Sequence, residues 1–142
     1  MINSKDIMLG DYILVKGKPK KVEEIKRFGV GYYPTPDCQR LSYSLLHVCE
    51  HILVTADWLL GHGFVPHLPQ PGFDYDFRGV RLTISLYRSE EMSVRVKLRC
   101  MGGYTKVSAT GLKPTVSCLH QILKLHGEED LFNSLIKRNT TI

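Results

Sequence analysis

Two histidines and one cysteine alternate along the segment LLHVCEHILV, residues 45–54, as His47, Cys49 and His51. These residue types bind zinc, and alternate side chains of a β-strand point to the same face. Same-face positions lie roughly 6.5–7 Å apart, so the backbones of His47 and His51 are about 13 Å apart, and only neighbouring pairs converge on one ion without a bulge. A complete site needs further ligands, for which the candidates are Cys38, His62 and His67. No recognised ligand spacing joins these positions, so we expect a structural strand with a buried Cys49 and no bound metal.

Three cations alternate along the segment SVRVKLRC as Arg95, Lys97 and Arg99. On a strand they share one face, and Arg81 and Arg88 are positioned to join them across a predicted hairpin. A row of this kind is typical of a face that contacts the phosphates of a nucleic acid, although no aromatic residue interleaves with the cations. The alternative, which we favour, is a solvated sheet face whose cations discourage edge-to-edge aggregation.

The motifs of common hydrolases and phosphate-binding enzymes are missing from the sequence. It contains no serine elbow, no phosphate-cradling glycine loop and no HExxH. Asp74 and Asp76 in FDYDF share a face, but such spacing of carboxylates is common on loops. Cys118 and His120 lie two apart on a predicted helix and so do not face each other. We therefore expect no catalytic residue, no cofactor and no enzymatic activity.

The chain of 142 residues carries a formal net charge of +5, with 43% hydrophobic and 23% charged residues. This balance predicts a packed domain, or two small subdomains that share a core. Four lysines in KGKPKK, residues 16–21, surround a predicted turn, where solvation explains them as well as polyanion contact does. We find no CxxC pair, no signal peptide and no apolar run of about 20 residues. We expect a cytoplasmic protein with free thiols.

Residues 1–65 are predicted to form a β-rich part that ends in a short helix. Apolar runs separated by glycine and proline turns predict three or four short strands, with Val22, Ile25 and Phe28 as the apolar positions of one of them. Such strands suggest a small SH3-like β-barrel or a curled sheet. Thr55 is a favourable N-cap for the helix that follows.

Residues 66–72, PHLPQPG, are predicted to form a stiff linker because they include three prolines. Residues 73–142 are predicted to form an antiparallel β-hairpin sheet with a C-terminal helix packed on its apolar face. The strands RLTISLY and SVRVKLRC alternate apolar and polar residues, and Thr115 is positioned to cap the helix. GEEDLF predicts the start of a second short helix. The fold class is therefore α+β.

Four stretches resemble a family of small uncharacterised bacterial proteins found in phages and mobile elements of gut bacteria. The stretches are DIMLGDYILVKGKPKKVEEI, GVGYY, ILVTADWLLGHGF and TVSCLHQILKLHGEEDL, which cover about half of the chain. His120 and Gln121 match a recurrent His-Leu-Gln type core of the family's closing helix. The chain departs from the family over residues 65–79 and in HVCEH. The resemblance implies an origin in a mobile element and implies no activity.

These observations favour a non-catalytic binding or adaptor module of a phage or mobile element. A protein partner is the first expectation, and a large exposed apolar patch would support it. The first alternative is a nucleic-acid-binding protein that uses Arg95, Lys97 and Arg99. The second is a metal-binding protein or an enzyme, which would require His47, Cys49 or His51 to meet further ligands in space.

Overall fold

The computed structural model describes residues 2–67, 72–87, 93–100 and 102–137, and the chain divides into two compact units. Unit 1 comprises Met1–Leu53 and Thr115–Gln121, and unit 2 comprises Val54–Pro114 and Ile122–Ile142. Each unit is therefore built from two separate pieces of the chain.

Unit 1 contains two three-stranded antiparallel sheets. Its strands are β1 (Tyr12–Val15), β2 (Lys18–Lys21), β3 (Glu24–Ile25), β4 (Gly29–Tyr32), β5 (Ser42–Leu45) and β6 (Cys49–His51). The first sheet has the order β2–β1–β6, and the second has the order β3–β4–β5. Only Val22 and Glu23 separate β2 from β3, so the chain passes directly from one sheet into the other.

A two-residue turn joins β1 to β2. Val15 pairs with Lys18, and the turn residues Lys16 and Gly17 have φ angles of 52° and 81°. Two consecutive residues with positive φ suit a tight hairpin, because this turn matches the right-handed twist of the paired strands. The turn predicted within residues 16–21 is confirmed.

The core of unit 1 is formed by aliphatic side chains together with one cysteine. The buried residues are Ile2, Ile7, Ile13, Val15, Val22, Val30, Leu46 and Cys49. Phe28, which the sequence groups with Val22 and Ile25 as an apolar strand position, lies outside this core and is exposed. Phe28 lies within the turn between β3 and β4, which is closed by a hydrogen bond from the Lys26 amide to the Gly29 carbonyl.

A buried carboxylate, that of Asp11, joins the two chain pieces of unit 1. Its Oδ2 accepts hydrogen bonds from the Met8 amide at 2.8 Å and from Gln121 Nε2 at 3.0 Å. Its Oδ1 accepts a short hydrogen bond from Nδ1 of His120. Asp11 and His120 are both almost completely buried. Because a buried carboxylate is costly unless its lone pairs are satisfied, this network determines where residues 115–121 pack.

Unit 2 contains a five-stranded antiparallel sheet with the order β11–β10–β9–β8–β7. Its strands are β7 (Val65–His67), β8 (Gly72–Phe77), β9 (Val80–Tyr87), β10 (Ser93–Arg99) and β11 (Thr105–Leu112). Buried and less buried residues alternate along the central strands, which is the pattern of a sheet with one face in a core. The buried positions of β9 and β10 are Leu82, Ile84, Val94, Val96 and Leu98.

Helices α1 (Ala56–Gly61) and α3 (Glu129–Lys137) belong to unit 2. The hydroxyls of Tyr75 on β8 and Ser134 on α3 are hydrogen bonded at 2.5 Å. His62, at the end of α1, forms a 3.0 Å hydrogen bond between its Nδ1 and the Leu135 carbonyl. The predicted cap of α1 is confirmed, because Thr55 Oγ1 accepts a hydrogen bond from the Trp58 amide at 3.1 Å.

Helix α2 (Val116–Leu125) starts in unit 1 and ends in unit 2. Its predicted cap is also confirmed, since Thr115 Oγ1 accepts from the Cys118 amide at 3.2 Å. The sequence placed this helix on the apolar face of the second sheet. The hydrogen bonds of His120 and Gln121 hold its first half in unit 1, and α3 is bonded to the sheet through Ser134. The packing of α2 on the sheet stays a prediction.

The α+β class is confirmed, with antiparallel sheets and C-terminal helices. Among the described residues the strand pairings leave two separate sheets in unit 1, so a closed SH3-like barrel stays a prediction. The predicted boundaries of 1–65, 66–72 and 73–142 stay a prediction. Within the predicted linker, Pro66 pairs with Phe73 and His67 pairs with Gly72, while residues 68–71 lie outside the described residues.

No helix in the described part of the chain is long and apolar enough to cross a membrane.

We expect the variant Asp11→Ala to lower the free energy of unfolding by about 3–5 kcal/mol, because it removes one partner of a buried charged network. Urea titration followed by circular dichroism measures this change. Asp37→Ala, at an exposed aspartate of the same unit, should change the value by no more than about 0.5 kcal/mol. If Asp11→Ala does not fold, Asp11→Asn provides the milder test. Equal stability of the Asp11 and Asp37 variants would contradict the role of the network.

Candidate binding surfaces

The structure does not place His47, Cys49 and His51 on one continuous strand. A 3-10 turn over Leu46–Val48 contains His47, and β6 starts only at Cys49. Cys49 is buried opposite Val15 of β1, whereas His47 is exposed and His51 is half-buried. Within the described ranges, no group of three histidine, cysteine or acidic side chains is arranged to hold a metal ion. The single strand expected over residues 45–54 is therefore wrong, and the expected burial of Cys49 is confirmed.

The chemistry of Cys49 follows from its burial. Desolvation raises the pKa of its thiol, because a thiolate is poorly stabilised in apolar surroundings. Its Sγ lies 3.5 Å from the Leu45 carbonyl, an acceptor that favours the protonated thiol. Since metal binding and nucleophilic attack both use the thiolate, this environment is suited to packing and not to either chemistry.

The two carboxylates of FDYDF are both engaged by side chains of β9. Asp74 Oδ1 accepts a 2.6 Å hydrogen bond from Thr83 Oγ1. Asp76 accepts from Nε of Arg81 at 2.8 Å and from its Nη2 at 3.2 Å. The Arg81 guanidinium holds the pKa of Asp76 below its ordinary value. An acid whose pKa is lowered by a bidentate ion pair is not prepared to donate a proton near neutral pH.

Arg95, Lys97 and Arg99 lie on one face of β10, and we call this set the cationic strand face. They alternate with three buried residues of the same strand, so they point away from the core of unit 2. Arg95 and Lys97 are half-buried, and Arg99 is exposed. Arg81 lies directly opposite Arg99 on β9, as the sequence suggested, and Arg88 lies outside the described residues.

Unit 1 has an exposed apolar surface formed by Phe28, Tyr43 and Leu45, which we call the Phe28 surface. The exposed fractions of these residues are 67%, 51% and 55%. Tyr43 and Leu45 belong to β5, on the face opposite the buried Ser44, and Phe28 immediately precedes β4. Three large apolar side chains at this exposure, all of which line one shared hollow, are unlike the scattered apolar residues of an ordinary surface.

Two hollows flank the Phe28 surface. The first has a volume of about 360 Å³ and the second a volume of about 530 Å³. Both are lined by Arg27, Phe28 and Leu45, so they adjoin one another along these side chains. The first hollow is completed by Lys26, Gly29, Tyr43 and Ser44, and no described aspartate or glutamate contributes to it. The second is completed by Ile2, Asn3, Ser4, Leu46 and His47, and likewise has no carboxylate in its described lining.

Two glycines of β4 shape the first hollow. Gly31 pairs with Tyr43, and a Cβ at Gly31 would lie only 2.9 Å from Cε1 of the Tyr43 ring, so the ring covers this glycine. Gly29 pairs with Leu45 and lines the hollow, and a Cβ there would lie only 2.9 Å from the Ser44 carbonyl oxygen, so the close approach of β5 requires glycine. The Tyr43 ring is held in place because its hydroxyl donates to Glu24 at 2.7 Å and Lys26 Nζ lies 4.1 Å from its centroid.

The Phe28 surface was not predicted from the sequence. Val22, Ile25 and Phe28 are spaced as members of one apolar set, and only the turn at Lys26–Gly29 separates the exposed Phe28 from the others. A weak local signal was present. Two cations precede Phe28 and a glycine follows it, which is a composition more typical of a turn than of a strand interior.

No protein-family model matches the chain, and neither the curated proteins nor the solved structures include a significant match to it.

We expect Cys49 to react with iodoacetamide much more slowly than Cys38 in the folded protein, because burial restricts access and the raised pKa of Cys49 reduces its thiolate fraction at any given pH. Mass spectrometry of peptides from protein alkylated at pH 8 measures both rates, and alkylation in denaturant provides the control in which the two rates converge. Equal rates in the folded protein would show that Cys49 is accessible and would contradict a purely structural thiol.

Proposed function

We propose that this protein is a non-catalytic binding module that recognises a segment of a partner protein on the Phe28 surface. The observation that carries the proposal is the exposure of Phe28, Tyr43 and Leu45 beside two adjoining hollows. Aromatic and large aliphatic residues next to pockets are the groups that contribute most to protein–protein binding, because their burial displaces water from a large apolar area.

The charge of the surface indicates the chemistry of the partner. Lys26 and Arg27 line the first hollow, and Arg27 also lines the second. The carboxylate of Glu24 is engaged by the hydroxyl of Tyr43 and lines neither hollow. A partner segment with apolar side chains for the hollows and an acidic residue for the cations complements this surface.

The shape of the surface favours an extended segment. The two hollows adjoin along Phe28 and Leu45, so one chain with an apolar side chain for each hollow can occupy both. The β5 strand lies at the edge of its sheet, and an edge strand offers unpaired backbone groups to an added strand. The segment would thus gain backbone hydrogen bonds as well as apolar contacts.

We further propose that the strands of unit 1 form a small SH3-like barrel. The support is their arrangement as two three-stranded sheets, between which the chain passes with only two intervening residues. A continuous path from one sheet into the other is what curling a small sheet into a barrel requires.

An origin in a phage or mobile element and a cytoplasmic location are also proposals. The origin is supported by the four similar stretches of sequence. The location is supported by the four cysteines, all of which are free thiols, as expected in a reducing compartment. Both agree with an adaptor role and neither is needed for the binding proposal.

Selection from a random peptide display library tests the binding proposal and does not require an identified partner. We expect enriched peptides that combine apolar and acidic residues, and we expect Phe28→Ala to weaken their binding about tenfold or more, which is the loss of a typical anchoring residue. Fluorescence anisotropy with a labelled peptide measures the dissociation constants.

A matched pair of leucines provides the control. Leu45→Ser should weaken binding, whereas Leu9→Ser should not, although Leu9 lies in the same unit with a similar exposed fraction of 53% and lines neither hollow. No enrichment of peptides, or equal effects of the two leucine variants, would overturn the proposal. Sedimentation that shows a dimer broken by Phe28→Ala would instead identify the occupant as a second copy of the chain.

A further inference from the structure

The cationic strand face has a feature that the sequence did not show: β10 is an interior strand. In the five-stranded sheet β9 pairs with one side of β10 and β11 pairs with the other. Cations that discourage aggregation are expected on edge strands, whose backbone groups are unpaired. The edges of this sheet are β11 and β7. Protection of an edge therefore does not account for Arg95, Lys97 and Arg99.

The neighbours of the cationic strand face are mostly neutral hydroxyl groups. Arg95 lies opposite Ser85, and Lys97 lies between Thr83 on β9 and Ser108 on β11. Hydroxyls donate hydrogen bonds to phosphate oxygens and do not neutralise adjacent cations. The face thus combines three positive charges with the uncharged hydroxyls of Ser85 and Ser108, while the Thr83 hydroxyl donates to Asp74.

No carboxylate in the described part of the chain pairs with the three cations. The acidic residues of the sheet, Asp74 and Asp76, lie two strands away on β8 and are engaged by Thr83 and Arg81. Arg95 has a buried Nε without an acceptor among the described residues, so packing and not an ion pair holds its side chain. Arg99 lies directly opposite Arg81, whose charge is paired with Asp76, so Asp76 bonds to Arg81 and leaves Arg99 for an added anion.

The spacing of the cations matches a polymer of phosphates. Alternate residues of a strand lie roughly 6.5–7 Å apart, which is about twice the 3.4 Å rise per nucleotide along one strand of B-DNA. The three charges therefore extend over about four nucleotide steps. The described side chains of this face include no aromatic ring on which an unpaired base would stack, and this favours the backbone of a duplex over a single strand.

We propose that the cationic strand face binds the phosphodiester backbone of duplex nucleic acid without reading its base sequence. Arg95, Lys97 and Arg99 contact phosphates, and the hydroxyls of Ser85 and Ser108 donate to phosphate oxygens. This second surface goes beyond the protein-binding function, since it lies in unit 2 and shares no residue with the Phe28 surface. Together the two surfaces would make the chain an adaptor.

Fluorescence anisotropy with two 20-base-pair DNA duplexes of unrelated sequence, across a series of salt concentrations, tests this proposal. We expect dissociation constants of about 10⁻⁴–10⁻⁶ M that are equal for the two duplexes and rise steeply with salt, because phosphate contacts release counterions. Changing Arg95, Lys97 and Arg99 together to Gln should weaken binding at least about tenfold and reduce the slope of log K against log salt by about 2 to 3.

A second triple variant, with the same loss of charge, shows whether binding depends on the cationic strand face or only on the net charge of the protein. Lys16→Asn, Lys18→Gln and Lys21→Gln also remove three positive charges, from exposed positions around the β1–β2 turn in unit 1. Asn is used at position 16 because its φ of 52° lies in the left-handed region that Asn tolerates. This variant should retain most of the affinity and the salt slope. Circular dichroism confirms that both triple variants fold, and Lys97→Gln with Arg99→Gln replaces the first triple variant if it does not.

Three outcomes would overturn the proposal. The first is no binding of either duplex at 20 mM salt. The second is an equal loss of affinity in the two triple variants, which would mean that net charge alone attracts the duplex. The third is binding to vesicles containing phosphatidylserine without binding to duplexes, which would identify a lipid surface as the polyanion. None of these results depends on the Phe28 surface, so the protein-binding proposal is tested independently.

Discussion

The buried carboxylate of Asp11 is the constraint on which unit 1 depends. It is completely buried and accepts hydrogen bonds from the Met8 amide, from Gln121 and from His120. A carboxylate without these donors would be strongly unfavourable in the interior. The first half of α2 must therefore pack in unit 1, although more than 60 residues of unit 2 separate it from β6. The N-terminal strands alone would lack two of the donors that Asp11 requires.

Both proposed surfaces follow from sheets that bury only one of their faces. In unit 1, β5 buries Ser44 and exposes Tyr43 and Leu45. In unit 2, β10 buries an aliphatic row and directs its cations outward. The free faces differ in chemistry, since one is apolar beside hollows and the other is cationic among hydroxyls. An apolar face is suited to a protein segment and a cationic face to a polyanion, which is why we assign them to different partners.

The histidine and cysteine set shows how local structure decides chemistry. Regular alternation would have directed His47, Cys49 and His51 to one face, but the 3-10 turn at Leu46–Val48 removes His47 from the strand. Cys49 then becomes part of the core and its thiol has a raised pKa. Histidine and cysteine at this spacing therefore do not share one face here, and Cys49 contributes to the packing of the core. An ion would have needed three converging side chains and a thiolate.

The sequence by itself determined the elements whose signals are local. Thr55 and Thr115 cap helices because their hydroxyls reach amides only three residues away, and the alternation in β9 and β10 identified the cationic face. The tertiary structure alone decided three other features. It placed β10 in the interior of its sheet, it joined Asp11 to His120, and it left Phe28 outside the core. Each depends on contacts between distant residues or on a turn that breaks a regular period, and periodicity along the chain carries no information about either.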